Sequence, residues 1–270
     1  MTALNKTLLA VASLIICAQA GAATATWSMT TGSNVGTIGT TDWGNTRQFT
    51  NNGVTVTASA WSNTCGSSNT LIRNAYLSVY GNSGLGVINR DGGTGAGKDA
   101  NDVIGNGTEH AMDNDERYDS IMLTFSEAVN LTSVRNGWYS NDSDLSILAF
   151  VGSGSASING STYASLVGNG WSNVATLSNP GTTETSTGNS TTYSKYWLVG
   201  AFNTAFGDSD PGNGALDYVK FAGIVGKTCT GTVAGGSCNP GNTGSVPEPG
   251  SLALAGLGLL GVIGLRRRRK

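Results

Sequence analysis

One histidine, His110, serves the whole chain of 270 residues. That scarcity excludes a His-rich metal centre, and any Ser-His-Asp constellation would have to use this one imidazole. A lone histidine is most often a hydrogen-bonding structural residue, and His110 is read as one. Cysteine is nearly as rare, with four residues and no C-x-x-C pair, which argues against structural zinc. No G-x-S-x-G elbow is present: Gly154-Ser155-Ala156-Ser157 lacks the second glycine. The Gly97-Lys98 pair continues with Asp99 where a phosphate-binding loop needs Ser or Thr. With no catalytic set in view, the chain is expected not to be an enzyme. Charge is sparse too, at 12% of residues, and the interior has few of the straight-chain residues that favour long helices.

Extended apolar runs are confined to the two ends. Near the N-terminus Lys6 precedes an apolar run over residues 8–17, followed by Ala18-Gln19-Ala20. Positive, apolar and small-x-small segments in that order make a secretory signal over residues 1–20, cut by signal peptidase before Gly21. Ile16 stands before Cys17 where lipoprotein processing needs a small residue, so Cys17 is read as discarded with the signal. At the C-terminus, residues 252–265 are all apolar or glycine, and Arg266, Arg267, Arg268, Arg269 and Lys270 follow. As a helix that run rises about 21 Å, short against a hydrocarbon core of about 30 Å. The basic cluster acts as a stop that stays cytoplasmic, leaving the body of the chain outside. A transient hold in the inner membrane is the expected topology.

Val246, Pro247, Glu248 and Pro249 precede this helix. The order of Pro-Glu-Pro, a short Gly/Leu-rich helix and an arginine cluster resembles the PEP-CTERM sorting signal of bacterial surface proteins. The resemblance implies recognition and removal of the tail by an exosortase, in Gram-negative bacteria that make exopolysaccharide. It spans about 25 residues, 246–270, and implies a route to the cell surface or extracellular matrix rather than an activity.

Between the ends the charge balance is acidic. Six of the fifteen basic residues lie in the terminal segments, leaving nine against seventeen acidic ones with Glu248 still counted, a balance near −8. Nucleic acid is excluded as a partner, because phosphate binding needs clustered Lys and Arg. An acidic exported domain is compatible with divalent cations. Residues 21–228 alternate short β-branched and aromatic runs with Gly/Asn/Asp clusters, the pattern of an all-β, antiparallel β-sandwich, jelly-roll-like. Strands are expected in residues 51–61, 75–81, 84–93, 193–202 and 217–226. Three more, joined by polar turns and burying one face, are expected around Ile121-Phe125, Val129-Val134 and Leu145-Ala149. Residues 229–245 read as a Gly-rich linker. Within them, Cys229 and Cys238 bracket a short loop and are the favoured disulfide, with Cys65 an alternative partner for either.

A second resemblance lies in the body. Gly86-Val87-Ile88-Asn89-Arg90, Glu109-His110-Ala111-Met112-Asp113-Asn114, Gly137-Trp138, Asp142-Ser143-Asp144, Gly170-Trp171 and Tyr196-Trp197-Leu198-Val199-Gly200-Ala201 occur in this order. Together, over residues 84–226, they are similar to a family of exosortase-dependent surface proteins. That likeness implies surface location and carries no catalytic residues.

Acidic residues gather before two expected strands: Asp113, Asp115, Glu116 and Asp119, then Asp142 and Asp144. Should those strands be neighbours, Asp113, Asp115, Asp119, Asp142 and Asp144 would converge as hard oxygen ligands for calcium, helped by Asn114 and Asn141. The competing reading is a set of solvated turn residues, since the spacing is not that of an EF-hand. The six tryptophans are read chiefly as core, with stacking against sugar rings as the alternative. These features point to a non-enzymatic structural or adhesive protein associated with extracellular polysaccharide. A carbohydrate-binding module with a calcium-supported fold is the alternative, and a hydrolase a more distant one.

Overall fold

The computed structural model describes residues 23–30, 36–38, 43–65, 68–92, 99, 102, 110–211 and 214–239. The expected signal peptide, the sorting motif and the expected C-terminal helix lie outside these residues. The strands of the N-terminal part are β1 (Thr24–Ser28), β2 (Gly36–Ile38), β3 (Thr46–Asn51), β4 (Val54–Cys65), β5 (Leu71–Asn74), β6 (Tyr76–Val79), β7 (Leu85–Ile88) and β8 (Met112–Asp113). They are followed by β9 (Asp119–Asn141), β10 (Leu145–Phe150), β11 (Trp171–Leu177), β12 (Thr185–Ser186), β13 (Ser194–Ala201), β14 (Asp217–Thr228), β15 (Thr232–Ala234) and β16 (Ser237–Asn239). One short helix, α1 (Tyr163–Leu166), lies between β10 and β11, its first turn closed by a Thr162–Ser165 capping box.

Local chemistry accounts for several of these elements. Asn52 and Gly53 both take positive φ, 48° and 77°, between the paired residues Asn51 and Val54. That is the type I′ geometry which matches strand twist, and it sets the β3–β4 register. In β1, Ala25 and Trp27 point inward while Thr24 and Thr26 are exposed, the two-residue period of a half-buried strand.

The architecture is an antiparallel β-sandwich organised by β9. Its first part, through Phe125, pairs with β4 on one side and β13 on the other, and β13 continues to β10 and β11. Its second part, from Val129, pairs with β14 and β12. The free side of β14 is lined in turn by β8, β7 and β1. One strand thus serves both layers, a device that sandwiches use at their corners. Two separate strands were expected here, because Ser126-Glu127 reads as a polar turn. The backbone instead stays extended through these exposed residues, and the Ser126 hydroxyl accepts from the Thr55 N–H at 3.1 Å.

The core lies between the layers. Ile121, Leu123 and Phe125 of β9 meet Val56, Ala58 and Ala60 of β4 and Trp197 and Val199 of β13. Facing them are Leu131 and Val134 from the second part of β9, with Val219, Phe221 and Ile224 of β14 and Trp27 of β1. Trp197 is fully buried between the small residues Ala149 and, one strand further, Ala58. Its indole N–H donates to the carbonyls of Val129 and Ser194 at 3.2 and 3.1 Å. The expectation of one buried face fails for the first layer. Met122, Leu148 and Leu198, on its outer side, pack with Ile72, Ile158, Tyr163, Leu166, Trp171 and Phe206 in a second cluster. The connections around α1 cover that face, which explains why apolar residues occupy both parities of β10 and β13.

One glycine is required by close approach. A Cβ on Gly86 would lie 2.0 Å from the carbonyl oxygen of His110. Gly86→Ala should therefore force the β7–β8 region apart, costing about 1–3 kcal/mol and lowering the melting temperature by about 3–10 °C. Thermal melting checks this, and an unchanged midpoint would show that the corner relaxes freely.

Residues 229–239, within the segment read as linker, form a hairpin. β15 pairs with β16, and Cys229 and Cys238 are joined with their Cα atoms 5.7 Å apart. The hairpin docks through Tyr193 N–H to Gly236 C=O at 2.6 Å and Cys229 N–H to Ala128 C=O at 3.2 Å. Cys65 is the last residue of β4.

Candidate functional site

The acidic residues do converge, but not as one group. β9 ends at Asn141, whose φ of 62° turns the chain, and Asp142-Ser143-Asp144 then crosses to β10. β14 begins opposite, with Asp217 in register with Asn141. This brings Asp142, Asp144 and Asp217 together, all buried, each with a carboxylate oxygen within 4.8 Å of the others. Asp217 lies more than seventy residues from Asp142 and opens a strand whose partner was not legible in sequence. The antiparallel pairing of β14 with β9 is what recruits it.

Backbone amides hold these carboxylates. Asp142 Oδ1 accepts from the Ser143 N–H at 2.8 Å, Asp144 Oδ1 from the Asn179 N–H at 2.6 Å, and Asp217 Oδ1 from the Asp144 N–H at 2.6 Å. Asn114, expected as a carbonyl ligand, acts as a clamp instead. Its Nδ2 donates to Asp217 Oδ2 at 2.8 Å and to Phe202 C=O at 3.1 Å, while its Oδ1 accepts from the Asp217 N–H at 2.8 Å. Asn141 donates to the Leu216 carbonyl at 3.0 Å.

Burial pushes the Asp217 carboxyl up to about 7, with the neighbouring charges of Asp144 and Asp142 adding to the effect. Asp144 is also raised, first by burial and further by Asp142 and Asp210. Three carboxylates oriented by N–H groups and crowded out of water form a set of hard oxygen donors. Calcium takes 6–8 such donors, so these three carboxylates suit it as part of a shell.

The other expected ligands lie elsewhere. Asp113 on β8 groups with Asp99 and Asp102, which sequence reasoning passed over as loop residues. Asp115 is half-buried and accepts from the Tyr218 hydroxyl at 2.8 Å. Asp119 is buried at the start of β9, in register with Ser62 of β4, and joins neither group. The expected single site across Asp113, Asp115, Asp119, Asp142 and Asp144 is therefore split, because β8 and the β9–β10 connection flank the start of β14 from opposite sides.

Three of the six tryptophans pack fully inward. Trp27, Trp171 and Trp197 are buried. Trp138 is half-buried under the Lys220 ammonium, 3.8 Å from its ring, and Trp43 faces Arg90 at 5.5 Å. An open groove of about 970 Å³ instead lies between the ends of β10 and β13 and the disulfide hairpin, with Phe150, Tyr193 and Tyr196 as its aromatic residues and Glu127 and Lys195 as its charged ones.

Comparison with known families places a PEP-CTERM protein-sorting motif at residues 245–269, covering Val246, Pro247, Glu248 and Pro249 and the basic run through Arg269. No curated protein and no solved structure matches the chain. Among the described residues no helix is long and apolar enough to cross a membrane. The motif implies exosortase-dependent sorting out of the cell, to the surface of a Gram-negative bacterium.

Proposed function

We propose that this chain, carrying a PEP-CTERM sorting motif, is a non-enzymatic structural or adhesive protein displayed or released among extracellular polysaccharide. The motif at residues 245–269 carries the reading, because it assigns the β-sandwich to the outside of the cell. Signal peptidase removes residues 1–20, the C-terminal helix holds the precursor transiently in the inner membrane, and an exosortase then removes the tail. Supporting the structural role are a sandwich whose most buried tryptophans serve packing and a chain with no nucleophile elbow. Calcium at Asp142, Asp144 and Asp217 stiffens the end of the sandwich where β10 and β14 begin.

Replacing Pro247, Glu248 and Pro249 together by Ala should leave an unprocessed, membrane-held precursor. Immunoblotting of membrane and external fractions reads the outcome. Normal mature size and release of that variant would refute the sorting route.

The groove favours a second reading, glycan binding. Tyr193 and Tyr196 line it beside Glu127 and Lys195, supplying aromatic faces and polar groups of the kind that engage sugar rings and hydroxyls. Affinity-gel retardation in the native polysaccharide tests it: retardation abolished by Tyr193→Ala supports the reading, and unretarded wild-type protein counts against it.

A further inference from the structure

Outside the Asp142–Asp144–Asp217 group, a second cluster of carboxylates sits on the other flank of β14. Asp99, Asp102 and Asp113 are 4%, 1% and 1% exposed, and each has an oxygen within 4.8 Å of the others. Asn89, directly after β7, organises two of them: its backbone N–H donates to Asp102 Oδ2 at 2.5 Å and its side-chain Nδ2 to Asp99 Oδ2 at 2.7 Å. Asp113 is delivered by β8, through its pairing with Tyr218 of β14.

The independent observation is made by the only histidine. His110 is 5% exposed and holds a φ of 39°, in the left-handed region. Its ring stacks on Tyr80 at 5.9 Å, and its carbonyl is seated against Gly86. The surroundings therefore fix its orientation, and Nδ1 points at Asp102 Oδ1 from 3.9 Å. That distance is too long for a hydrogen bond, and among the described residues both atoms are buried with no hydrogen-bond partner. Leaving such atoms unsatisfied is costly, and more so when one belongs to a carboxylate. Two donors sharing one calcium at about 2.4 Å each lie no more than about 4.8 Å apart. The carboxylate oxygens of Asp99, Asp102 and Asp113 meet that limit.

We propose that Asp99, Asp102 and Asp113 bind a divalent cation of the calcium class, with His110 closing the site beside Asp102. Three carboxylates favour a hard ion over a thiolate- or imidazole-seeking one, and an affinity of about 10⁻⁴–10⁻³ M suits an extracellular module. Burial raises the Asp102 carboxyl, and a bound cation offsets that cost. The proposal is separate from the role assigned to the protein at the surface and does not rest on it. It also concerns different carboxylates from the Asp142 group.

The single histidine supplies the test. The full exported protein, ¹⁵N-labelled and stripped with chelator, is titrated with Ca²⁺ to about 10 mM while the one imidazole is followed by NMR. The His110 ring signals should shift saturably in the wild type and in Asp144→Asn, and should stay fixed in Asp102→Asn. Equilibrium dialysis should show Asp102→Asn losing one calcium equivalent per chain. Ring signals that do not move in the wild type, or that move in the wild type but not in Asp144→Asn, would overturn the assignment. Should Asp102→Asn fail to fold, the wild-type and Asp144→Asn titrations decide the matter alone.

Discussion

Asp144→Asn should raise the melting temperature of chelator-treated protein at pH 8 and lower that of calcium-treated protein. Without a cation, Asp142, Asp144 and Asp217 crowd three carboxylates into a buried space, and an amide at position 144 removes one of the repelling charges. With calcium present the same change removes a ligand. The pH dependence follows from the raised carboxyls. Asp217 titrates at about 7 in the folded protein against an ordinary 3.8. A carboxyl raised on folding contributes stability in full below its unfolded value and loses it as pH rises through the folded value. Between pH 5 and pH 8 the calcium-free protein should thus lose stability, and Asp144, raised in the same direction, adds to the trend. The drop should be about 3–6 °C in melting temperature. Calcium displaces those protons and should flatten or reverse the slope. Identical melting curves in calcium and in chelator, at both pH values, would remove the Asp142–Asp144–Asp217 group as a cation site.

Trp197→Ala should be the most damaging single change in the sandwich. The side chain is fully buried, its N–H is bound to the Val129 and Ser194 carbonyls, and its neighbours across the strands, Ala149 and Leu123, do not fill a vacated indole. A loss of about 3–5 kcal/mol is expected, a drop of about 6–20 °C in melting temperature. Urea unfolding should show the midpoint falling with little change in slope. Trp138→Ala is the control, because that ring is half-buried and rests against Lys220. Equal losses from the two variants would mean that Trp197 does not anchor the core.

Much of this was legible because it is local. Asn52-Gly53 announces a hairpin, and the alternation in Ile121, Leu123 and Phe125 announces a strand. Cys229 and Cys238 close a loop short enough to be recognised from spacing. The failures are as instructive. Ser126-Glu127 has the chemistry of a turn, yet the chain runs straight through it, because each half of β9 finds partners in a different layer. Asp99 and Asp102 sit in a Gly-rich stretch that reads as loop, and nothing there indicates that Asn89 gathers them toward Asp113.

The sorting route of the protein was written in its C-terminal segment. A sorting segment is read as a linear string of Pro-Glu-Pro, apolar length and charge, so no fold is needed to interpret it. Strand content was likewise encoded, since side-chain alternation and turn residues act over a few positions. The composition of the sites was not. Asp217 joins Asp142 and Asp144 only because β14 lies antiparallel to β9, and Asp113 parts from them because β8 lies against β14 as well. Which carboxylates share a buried space is decided by strand pairing across the chain, an interaction between segments that no local pattern specifies.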